Sequence, residues 1–506
     1  MVLVYLAGVT GLWWPTPDSA LYQGLAKSLL SGQGYRFNGQ LHNTATPGFP
    51  LILAALMAVC NPAIYYWAAN LLVVFCGLGA LLFSYLAVAR IADRRMALAV
   101  TLAVGLSYKT YEVTHLILTD APFALVFWCL VYASLRYLSK GRGLWLLTAG
   151  ALTVLGLTIR VPGAIALGAA AVGLALDRSL SALHRRRLAA AVILGVTAAV
   201  LGGFYLVGKS ISPQAPGYAI AVHEGLRSTT VLVHRLKTAL LPWVPLATVL
   251  GGLTTSQEFA PAGVAFGVLT LVGVISMAWR GRRFTPVVVV LVCLGLVLVA
   301  QIRGRYLLTI YPLVVLLMFE GLCRCIQAVV RWTRWSSRAY LYGVSILVIL
   351  IIAVNALRLG RNAFYYGYLG RSHPHKYYAT ISKGDFVELF DIADRITNPP
   401  GPIAASKDET YELHYLTGRI LIPIPHSLRP PLSEADALYE QFMATHANLY
   451  VVTAIEQPFY NHLKERFAST PDLKPLYLGQ QHLVYQRVEP ASQQATRAAS
   501  RASSAP

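Results

Sequence analysis

Apolar runs separated by short basic or polar connections make up the first 357 residues of the chain. A helix needs about 20 apolar residues to cross a bilayer. The pattern predicts spanning helices at 64–88, 96–111, 121–138, 143–158, 162–176, 188–207, 261–279, 285–300, 307–322 and 340–356. We expect the shorter runs 47–60 and 239–255 not to cross. Residues 1–14 are too short to span, so either the first helix is tilted or thin or, as we expect, the natural start lies upstream of Met1.

The connections between these runs differ in charge. Arginine and lysine gather in the connections 90–95, 136–142, 178–187, 280–283 and 324–338. Cytoplasmic loops of membrane proteins carry the excess of basic residues, and this rule gives one consistent alternation of the ten runs. With a first helix before Trp13 added and the segment 239–255 uncertain, we expect about 11 to 13 transmembrane helices. The remaining polar positions then face the opposite side of the membrane. They are the loops 15–60 and 208–237, Asp120, Arg160, Arg303, Arg305 and all residues after Arg358.

The composition agrees with a polytopic membrane protein, since 56% of the 506 residues are hydrophobic and only 13% are charged. The 42 Lys and Arg against 22 Asp and Glu give a net charge of +20. We assign this charge mainly to cytoplasmic loops and anionic lipid, and expect no nucleic-acid partner. The six cysteines lie mostly inside apolar runs, and their spacing indicates neither a disulfide framework nor a zinc site.

The hydrophobic pattern changes between Lys376 and Val488, where apolar and charged residues alternate and no run is long enough to span a bilayer. The pattern predicts helices at 386–396, 433–447 and 459–467, the second with Ser433 as its N-cap, and strands at 403–405, 448–453 and 482–487. We therefore expect a small α/β domain. The predicted organisation is a membrane domain 1–357, a soluble extracytoplasmic domain 358–488 and a disordered tail 489–506.

The polar stretch from Trp13 to Cys60 carries the first candidate chemistry. Leucines at every fourth position predict a helix whose apolar face lies on the membrane, with Asp18 at its start. Two interpretations of Asp18 are open. It is either an N-cap that accepts backbone N–H bonds, or a general base, kept ionised by the helix dipole, that accepts a proton from a hydroxyl or amine. Tyr22, off the apolar face, is a candidate for substrate binding.

Asp120 is a second acidic candidate, at the outer end of a predicted span. Thr119 or Asp120 either caps the helix that begins near Pro122, or Asp120 lines a polar cavity, since a carboxylate this close to hydrocarbon is costly. Motifs for other membrane machines are missing from the sequence. The sequence has no phosphate-binding loop with GK[ST], the motif expected of an ATP-driven pump. It also has no HExxH, the motif expected of a zinc protease.

Several basic residues also lie on the predicted outer side, where the loop-charge rule does not explain them. Arg160, Arg303 and Arg305 either extend toward lipid headgroups or bind the phosphate of a lipid-linked substrate. A guanidinium suits the second role because its planar fork binds phosphate oxygens bidentately. Lys209 and His223, in the 208–237 loop, are weaker candidates for substrate binding, because a solvated loop also explains them.

Several motifs, in order along the chain, resemble the GT-C membrane glycosyltransferases, which include protein O-mannosyltransferases, the lipid A aminoarabinose transferase and bacterial multipass lipopolysaccharide sugar transferases. The stretch PDSALYQGLAKSLLSGQGY followed by TPGFPLILAAL is similar to their first outer loop. TDAPFALVFW is similar to the second-loop stretch, and LTIRVPGAIAL to the tip of the following hairpin. RGRYLLTIYPLVVLL resembles a late Arg-Tyr-Leu span, and LHYLTGRILIPIP a strand of the soluble domain.

The resemblance implies a GT-C-like fold and assigns roles by matched position. Asp18 matches the catalytic acid of the first loop, and Asp120, the second predicted catalytic residue, matches the acid of the second. Arg160 matches the basic residue at the hairpin tip, and Arg305 and Tyr306 match the late span. Many relatives carry a second acid directly after the first, where this chain has a serine. A divalent metal is therefore not supported, because a hard cation needs several oxygen ligands, and we expect no cofactor.

The resemblance further implies transfer of a hexose or pentose from a polyprenyl-phosphate donor to an extracytoplasmic lipid, glycan or protein in the bacterial inner membrane. Asp18 would deprotonate the acceptor for a single inverting displacement, and the arginines would neutralise the leaving phosphate. The alternative is a polyprenyl-lipid flippase or transporter without chemistry. That class predicts ionisable residues at mid-membrane rather than at one rim, so the sequence favours the enzyme. A structural protein would need none of these residues.

Overall fold

Helices dominate the part of the chain that the structure describes. The computed structural model describes residues 1–179, 183–211, 260–299, 304–333, 337–372, 385–397, 401–424, 432–453, 457–479 and 481–488. The first helices are α1 (Val2–Ala7), α2 (Pro17–Leu30), α3 (Gly48–Val59), α4 (Pro62–Ile91), α5 (Arg94–Gly105), α6 (Tyr108–Thr114), α7 (Asp120–Lys140), α8 (Gly143–Ile159), α9 (Gly163–Leu176) and α10 (Leu183–Ile211).

The later helices are α11 (Ala260–Trp279), α12 (Phe284–Val299), α13 (Tyr311–Thr333), α14 (Ser337–Ser372), α15 (Asp385–Thr397), α16 (Lys407–Thr417), α17 (Ala435–Ala444) and α18 (Gln457–Ala468). Short 3-10 helices cover Gly304–Ile310 and Leu432–Glu434. The strands are β1 (Arg36–Phe37), β2 (Gln40–Leu41), β3 (Ile403–Ser406), β4 (Leu421–Ile424), β5 (Leu449–Thr453), β6 (Leu473–Leu478) and β7 (His482–Arg487).

Five helical segments of the described residues are long and apolar enough to cross a membrane. They are Pro62–Ile91, Asp120–Lys140, Leu183–Val207, Leu307–Thr333 and Tyr342–Arg361. Further apolar helices of 10–17 residues are Gly48–Val59, Gly143–Ile159, Gly163–Leu176, Gly263–Trp279 and Phe284–Gly295. The chain is a mostly helical, multi-pass membrane protein, as its pattern indicates. The count of about 11 to 13 crossings stays a prediction.

Some helix boundaries differ from those that hydrophobicity predicts. The run 96–111 divides into α5 and α6, because Ser107 accepts a hydrogen bond from Thr110 N–H (3.3 Å) and starts a new helix. The run 307–322 begins as a 3-10 helix and continues as α13, and α14 extends well beyond the predicted run 340–356. The predicted segment 239–255 lies outside the described residues.

Contacts divide the chain into two compact units. The first unit comprises Met1–Trp13 and His42–Arg371, and the second comprises Trp14–Leu41 and Ser372–Pro506. In the first unit α7 packs against α4 and α8, α9 against α12, and α11 against α13. Helix α7 lies at the centre of this unit, since 78% of its apolar 18-residue stretch is buried, against 44% for the corresponding stretch of α4. Residues 15–41, which we predicted to belong with the spans, pack with the second unit.

The second unit contains a five-stranded sheet in the order β4-β3-β5-β7-β6. β3 is parallel to β4 and β5, and β7 is antiparallel to β5 and β6. Alternate residues of β5 face opposite sides of the sheet. Tyr450 and Val452 pack with α17 and α18 on one face, and Leu449 and Val451 pack with α15 and α16 on the other. Helices therefore cover both faces, which explains why every residue of β5 is buried.

Two details of the predicted soluble region are wrong. Ser433 is not the N-cap of α17, because it lies inside the 3-10 helix Leu432–Glu434 and α17 has no side-chain cap bond. The stretch LHYLTGRILIPIP is not one strand. Its first residues end α16, which stops where Gly418 adopts a left-handed conformation (φ 69°), and only Leu421–Ile424 is a strand. β6 was not predicted.

Candidate functional site

A buried ion pair joins two of the predicted site residues in the first unit. Arg160 Nη1 lies 2.7 Å from Asp120 Oδ1, and the same nitrogen donates a hydrogen bond of 3.1 Å to Thr119 Oγ1. The side chains of Arg160 and Asp120 are only 12% and 5% exposed. A buried charge is costly unless it is paired. Each of the two side chains therefore depends on the other for its burial.

The start of α7 places the carboxylate of this pair. Asp120 is the first residue of the helix, and Phe123 N–H donates to Thr119 O (2.9 Å) in the first turn. A negative charge at this position is stabilised by the helix dipole. Thr119 stands at the N-cap position without a side-chain cap bond, and its hydroxyl accepts from Arg160 instead. Thr119 is therefore the N-cap residue by position, as one interpretation of the sequence had it, but its side chain makes no cap bond.

The tight connection between α8 and α9 places the guanidinium. Arg160 follows the last residue of α8 in an extended conformation, and Gly163 N–H donates to its carbonyl (3.1 Å) as α9 begins. The predicted hairpin tip is thus confirmed. A Cβ atom at Gly163 would overlap the ring of Phe123. The glycine lets the hairpin tip approach the first turn of α7 closely enough for the ion pair to form.

The 3-10 helix Gly304–Ile310 lies beside Arg160. Its residue Thr309 and Arg160 line the same small cavity of about 30 Å³. Arg305 is on this short helix and is partly buried. A cavity of this size holds about one water molecule. In the conformation described, the cavity is too small for a phosphate group.

Two further residues lie near the ion pair. Tyr311, the first residue of α13, is fully buried and within electrostatic reach of the carboxylates of Asp120 and Glu112. Glu112 in turn pairs with Lys109 (2.9 Å) inside α6. Tyr311 was not among the predicted site residues, although it lies in the quoted stretch RGRYLLTIYPLVVLL. A tyrosine in an apolar run gives no local sign of a distant carboxylate.

Asp18, in the second unit, is the second residue of α2 and does not cap it. The cap is Thr16, whose hydroxyl accepts from Ser19 N–H (3.1 Å), while Ser19 Oγ accepts from Thr16 N–H (3.1 Å). The capping interpretation of Asp18 is therefore wrong. Its carboxylate is partly exposed in the first turn, where the helix dipole favours an anion. Tyr22 lies one turn later on the same helix and is partly buried.

Helix α2 packs against α16 of the second unit. Tyr415 Oη donates to Gln23 Oε1 (3.1 Å), and the ammonium group of Lys27 lies 3.9 Å from the centroid of the Tyr415 ring. Gln23 and Leu25 are completely buried, and Leu21 nearly so. The apolar face of α2, which we expected to lie on the membrane, is therefore largely covered by protein.

The hairpin β1–β2 is attached to the same region. The side chain of Asn38 donates from Nδ2 to Leu421 O (2.8 Å) and accepts at Oδ1 from Leu421 N–H (2.8 Å). The ring of Phe37 stacks on Tyr411, with centroids 5.4 Å apart, and meets His414 edge-on at 4.6 Å. These contacts fix the loop that carries Asp18 to the carboxy-terminal part of the chain.

His414 is held in its neutral form by two hydrogen bonds of opposite direction. Asn38 N–H donates to Nε2 (3.0 Å), so this nitrogen carries a lone pair, and Nδ1 donates to Arg419 O (2.6 Å). Burial lowers the pKa of His414, the carbonyl of Arg419 partly opposes this, and the charge of Lys27 lowers the pKa further. A proton on Nε2 would break the bond to Asn38.

Several predicted site residues lie wholly or partly outside the part of the chain that the structure describes. Arg303 and His223 lie outside the described residues, and so do the side chains of Lys209 in α10 and Tyr306 in the 3-10 helix. Among the residues that the structure describes, no group of three or more His, Cys, Asp or Glu could hold a metal ion. The roles of all these residues stay predictions.

Two solved structures are similar to this chain along most of its length. ArnT from Cupriavidus metallidurans, bound to undecaprenyl phosphate, has a TM-score of 0.57 and 14% identity over 96% of this chain and 96% of ArnT. The archaeal oligosaccharyltransferase AglB from Archaeoglobus fulgidus, in complex with an inhibitory peptide and a dolichol-phosphate, has a TM-score of 0.53 and 12% identity over 89% of this chain and 68% of AglB. Neither a family model nor a curated protein matches the sequence.

Both ArnT and AglB belong to the GT-C superfamily. The chain has a GT-C fold. The fold that the motif resemblance implied is therefore confirmed. Within this GT-C fold, Asp120 and Arg160 form an ion pair in the first unit, and Asp18 and Tyr22 lie on one helix of the second unit. That all the predicted residues line one pocket stays a prediction.

We expect the ion pair of the GT-C bundle to be strongly coupled. Asp120→Ala leaves a buried guanidinium without its carboxylate, and Arg160→Ala leaves a buried carboxylate without its guanidinium. Each substitution should therefore lower the free energy of unfolding by about 3–5 kcal/mol. The double variant removes both charges, so its loss of unfolding free energy should be about 1–3 kcal/mol smaller than the sum of the two single losses. The measurement is a double-mutant cycle on the unfolding of the purified protein in SDS.

A more exposed pair provides the control for this cycle. Asp472 Oδ2 lies 3.2 Å from Arg487 Nε, and their side chains are 39% and 23% exposed. Alanine variants of this pair should be almost additive, since exposed pairs contribute little. Additive losses at Asp120 and Arg160 would contradict a mutually dependent buried pair.

Acid should loosen the hairpin that His414 holds. Because the folded-state pKa of His414 lies below the value of about 6.5 of an unfolded chain, the unfolded state binds more protons as the pH falls. The stability from this site is therefore complete above about pH 6.5 and is lost below it. We expect the rate of limited proteolysis within residues 36–41 to increase as the pH falls from about 7.5 to about 5.

The variant His414→Gln should weaken this pH dependence, because glutamine does not titrate. His446→Gln, at an exposed histidine of the same unit, is the matched control and should retain the full dependence. Equal pH profiles for the native protein and His414→Gln would show that another group controls the hairpin.

Proposed function

We propose that this protein transfers a sugar from a polyprenyl-phosphate donor to an acceptor on the extracytoplasmic side of the bacterial inner membrane. The observation that carries the proposal is the end-to-end similarity to ArnT, which was solved with undecaprenyl phosphate. AglB, solved with a dolichol-phosphate, supports the same donor class. The buried ion pair of Asp120 and Arg160 provides charged groups at the end of a membrane helix, as a site for a charged substrate would require.

Asp18 is the proposed general base. Its carboxylate would accept the proton of an acceptor hydroxyl or amine, whose oxygen or nitrogen then bonds to the anomeric carbon of the donor. The bond between that carbon and the phosphate oxygen breaks, and polyprenyl phosphate leaves with the electron pair. One displacement of this kind inverts the anomeric configuration. The first turn of α2 suits the role, because it holds the carboxylate partly exposed at a helix start.

The proposed phosphate site uses arginines, because the leaving group needs charge neutralisation more than a proton. Arg305 lies on the 3-10 helix beside Arg160, and a guanidinium offers five N–H donors for phosphate oxygens. Asp120 would position Arg160 through their ion pair. Since the cavity beside Arg160 is small, donor binding requires movement of the surrounding side chains. Tyr22, Arg303, Tyr306, Lys209 and His223 remain proposed substrate-binding residues.

The decisive assay follows the sugar itself. Purified protein is mixed with polyprenyl phosphate that carries a radiolabelled sugar and with an extract of envelope acceptors. Loss of label from the lipid, with recovery in an acceptor, is the expected result. Movement of intact labelled lipid across a vesicle membrane without loss of sugar would instead indicate a flippase.

We expect Asp18→Asn to lower the rate of sugar transfer at least about a hundredfold, the usual contribution of a positioned general base. The protein should remain folded, because Thr16 and Ser19 cap α2 without Asp18. The measurement is initial rate at saturating donor. Asp436→Asn, at an exposed aspartate of the same unit, is the matched control and should transfer normally. Full transfer by Asp18→Asn would remove this residue from the mechanism.

Arg305→Gln should raise the KM for the lipid-phosphate donor by about ten- to a hundredfold, since hydrogen bonds to charged groups contribute about 1.5–3 kcal/mol. Arg305 is a cleaner probe than Arg160, whose loss would also leave Asp120 unpaired. The measurement is the dependence of rate on donor concentration. Arg331→Gln, at an exposed arginine near the end of α13, is the control. An unchanged KM in Arg305→Gln would exclude the residue from donor binding.

A further inference from the structure

A large cavity of about 650 Å³ lies between α5, α13 and α14 of the first unit. The cavity beside Arg160 measures only about 30 Å³ by comparison. Sites for small molecules usually measure about 300–1,000 Å³, so the larger cavity is of ligand size. Among the described residues proposed for sugar transfer, none lines it. The cavity is therefore distinct from the residues proposed for sugar transfer.

The walls of this cavity are mostly hydrocarbon. Phe319 and Leu322 of α13, Val344 and Val348 of α14, and Ala99 of α5 all line it. Their spacings of three and four residues place each pair on one face of its helix. Three helices thus turn one apolar face each toward a shared space. Apolar walls of this kind favour an aliphatic chain over water.

Positive charge is concentrated at the end of the cavity where α5 begins. Arg94 and Arg95, the first two residues of α5, both line the cavity and are exposed to solvent. They belong to the connection 90–95, which the loop-charge rule predicts to be cytoplasmic. The cavity is therefore basic at its rim and apolar along its walls.

The acidic residues near this rim are already engaged. Asp93 Oδ1 accepts hydrogen bonds from Arg95 N–H (2.8 Å) and Met96 N–H (2.9 Å), which caps α5. Glu320, adjacent to Phe319 on α13, pairs with Arg280 and with Arg324 (2.8 Å). The two carboxylates are thus held by their own partners, and Arg94 and Arg95 are placed to bind an external anion.

We infer that this cavity binds an anionic diacyl phospholipid, with its phosphate at Arg94 and Arg95 and an acyl chain along α13 and α14. A soluble anion would leave the apolar walls unused, and an uncharged lipid would leave two arginines unused. A zwitterionic phospholipid would bring its own cation beside the two arginines, so an amphiphile of net negative charge matches both parts best. Arginine is suited to the phosphate because it binds its oxygens bidentately. Basic residues at the cytoplasmic surface attract anionic lipids in general.

Such a lipid would fill the space that separates α14 from α5 and α13. The inference does not rest on the proposed sugar transfer, because lipid binding is measured directly and without a donor. It commits to phosphatidylglycerol-type lipid rather than to polyprenyl phosphate. The reason is that the cavity opens at the basic connections, whereas the proposed donor residues lie on the opposite side in the predicted topology.

The test compares phosphatidylglycerol with phosphatidylcholine on the purified full-length protein, with bound lipids counted by native mass spectrometry. The native protein should prefer phosphatidylglycerol by roughly ten- to thirtyfold, since each basic residue near a membrane contributes about a factor of five. The variant Arg94→Gln/Arg95→Gln should lose this preference. The variant Lys140→Gln/Arg142→Gln, which removes the same charge from another predicted cytoplasmic connection, should keep it.

A second variant tests the apolar part independently of charge. Val348→Trp fills the cavity and should lower phosphatidylglycerol binding at least about fivefold while both arginines remain. If the double arginine variant does not fold, this variant decides the question, and unchanged binding overturns the inference. Equal binding of the two lipids by the native protein, or an equal loss in the Lys140/Arg142 control, also overturns it. Displacement of phosphatidylglycerol by equimolar polyprenyl phosphate would overturn it as well, because the cavity would then belong to the donor.

Discussion

The ion pair between Asp120 and Arg160 is the constraint that orders the first unit. It lies at the start of α7, the most buried of the candidate membrane helices, where an unpaired charge would be strongly unfavourable. To meet this carboxylate, the end of α8 must stop abruptly and α9 must begin within a few residues. Pro162 and Gly163 allow that turn, and the absence of a side chain at Gly163 leaves room for Phe123. One pair of charges thus joins the start of α7 to the connection between α8 and α9.

Local patterns in the sequence were sufficient to predict much of this architecture. The predicted boundaries of α8, α9, α12, β3 and β7 agree closely with the structure, because apolar runs and turn residues act over a few positions. The hairpin tip at Arg160 was predictable for the same reason, since Pro and Gly together interrupt an apolar run. The GT-C fold was predictable because degenerate motifs occurred in one order along the chain.

Contacts between residues that are far apart in the sequence could not be predicted from local patterns. Asn38 and Leu421 are 383 positions apart, and neither residue type indicates the other. The apolar face of α2 was ambiguous, because lipid and protein select the same leucines at the same spacing. The interpretation of Asp18 as a cap was wrong because Thr16 is an equally good cap, and only geometry shows which side chain reaches the backbone N–H groups. Asp120 and Arg160 were each identified as candidates, but their ion pair was not predicted.

The packing of residues 14–41 with the carboxy-terminal sheet has a consequence for folding. The chain leaves the second unit after Leu41 and returns to it at Ser372. During synthesis, α2 therefore cannot acquire its partner α16 until the ribosome has passed residue 417, long after α2 itself has been made.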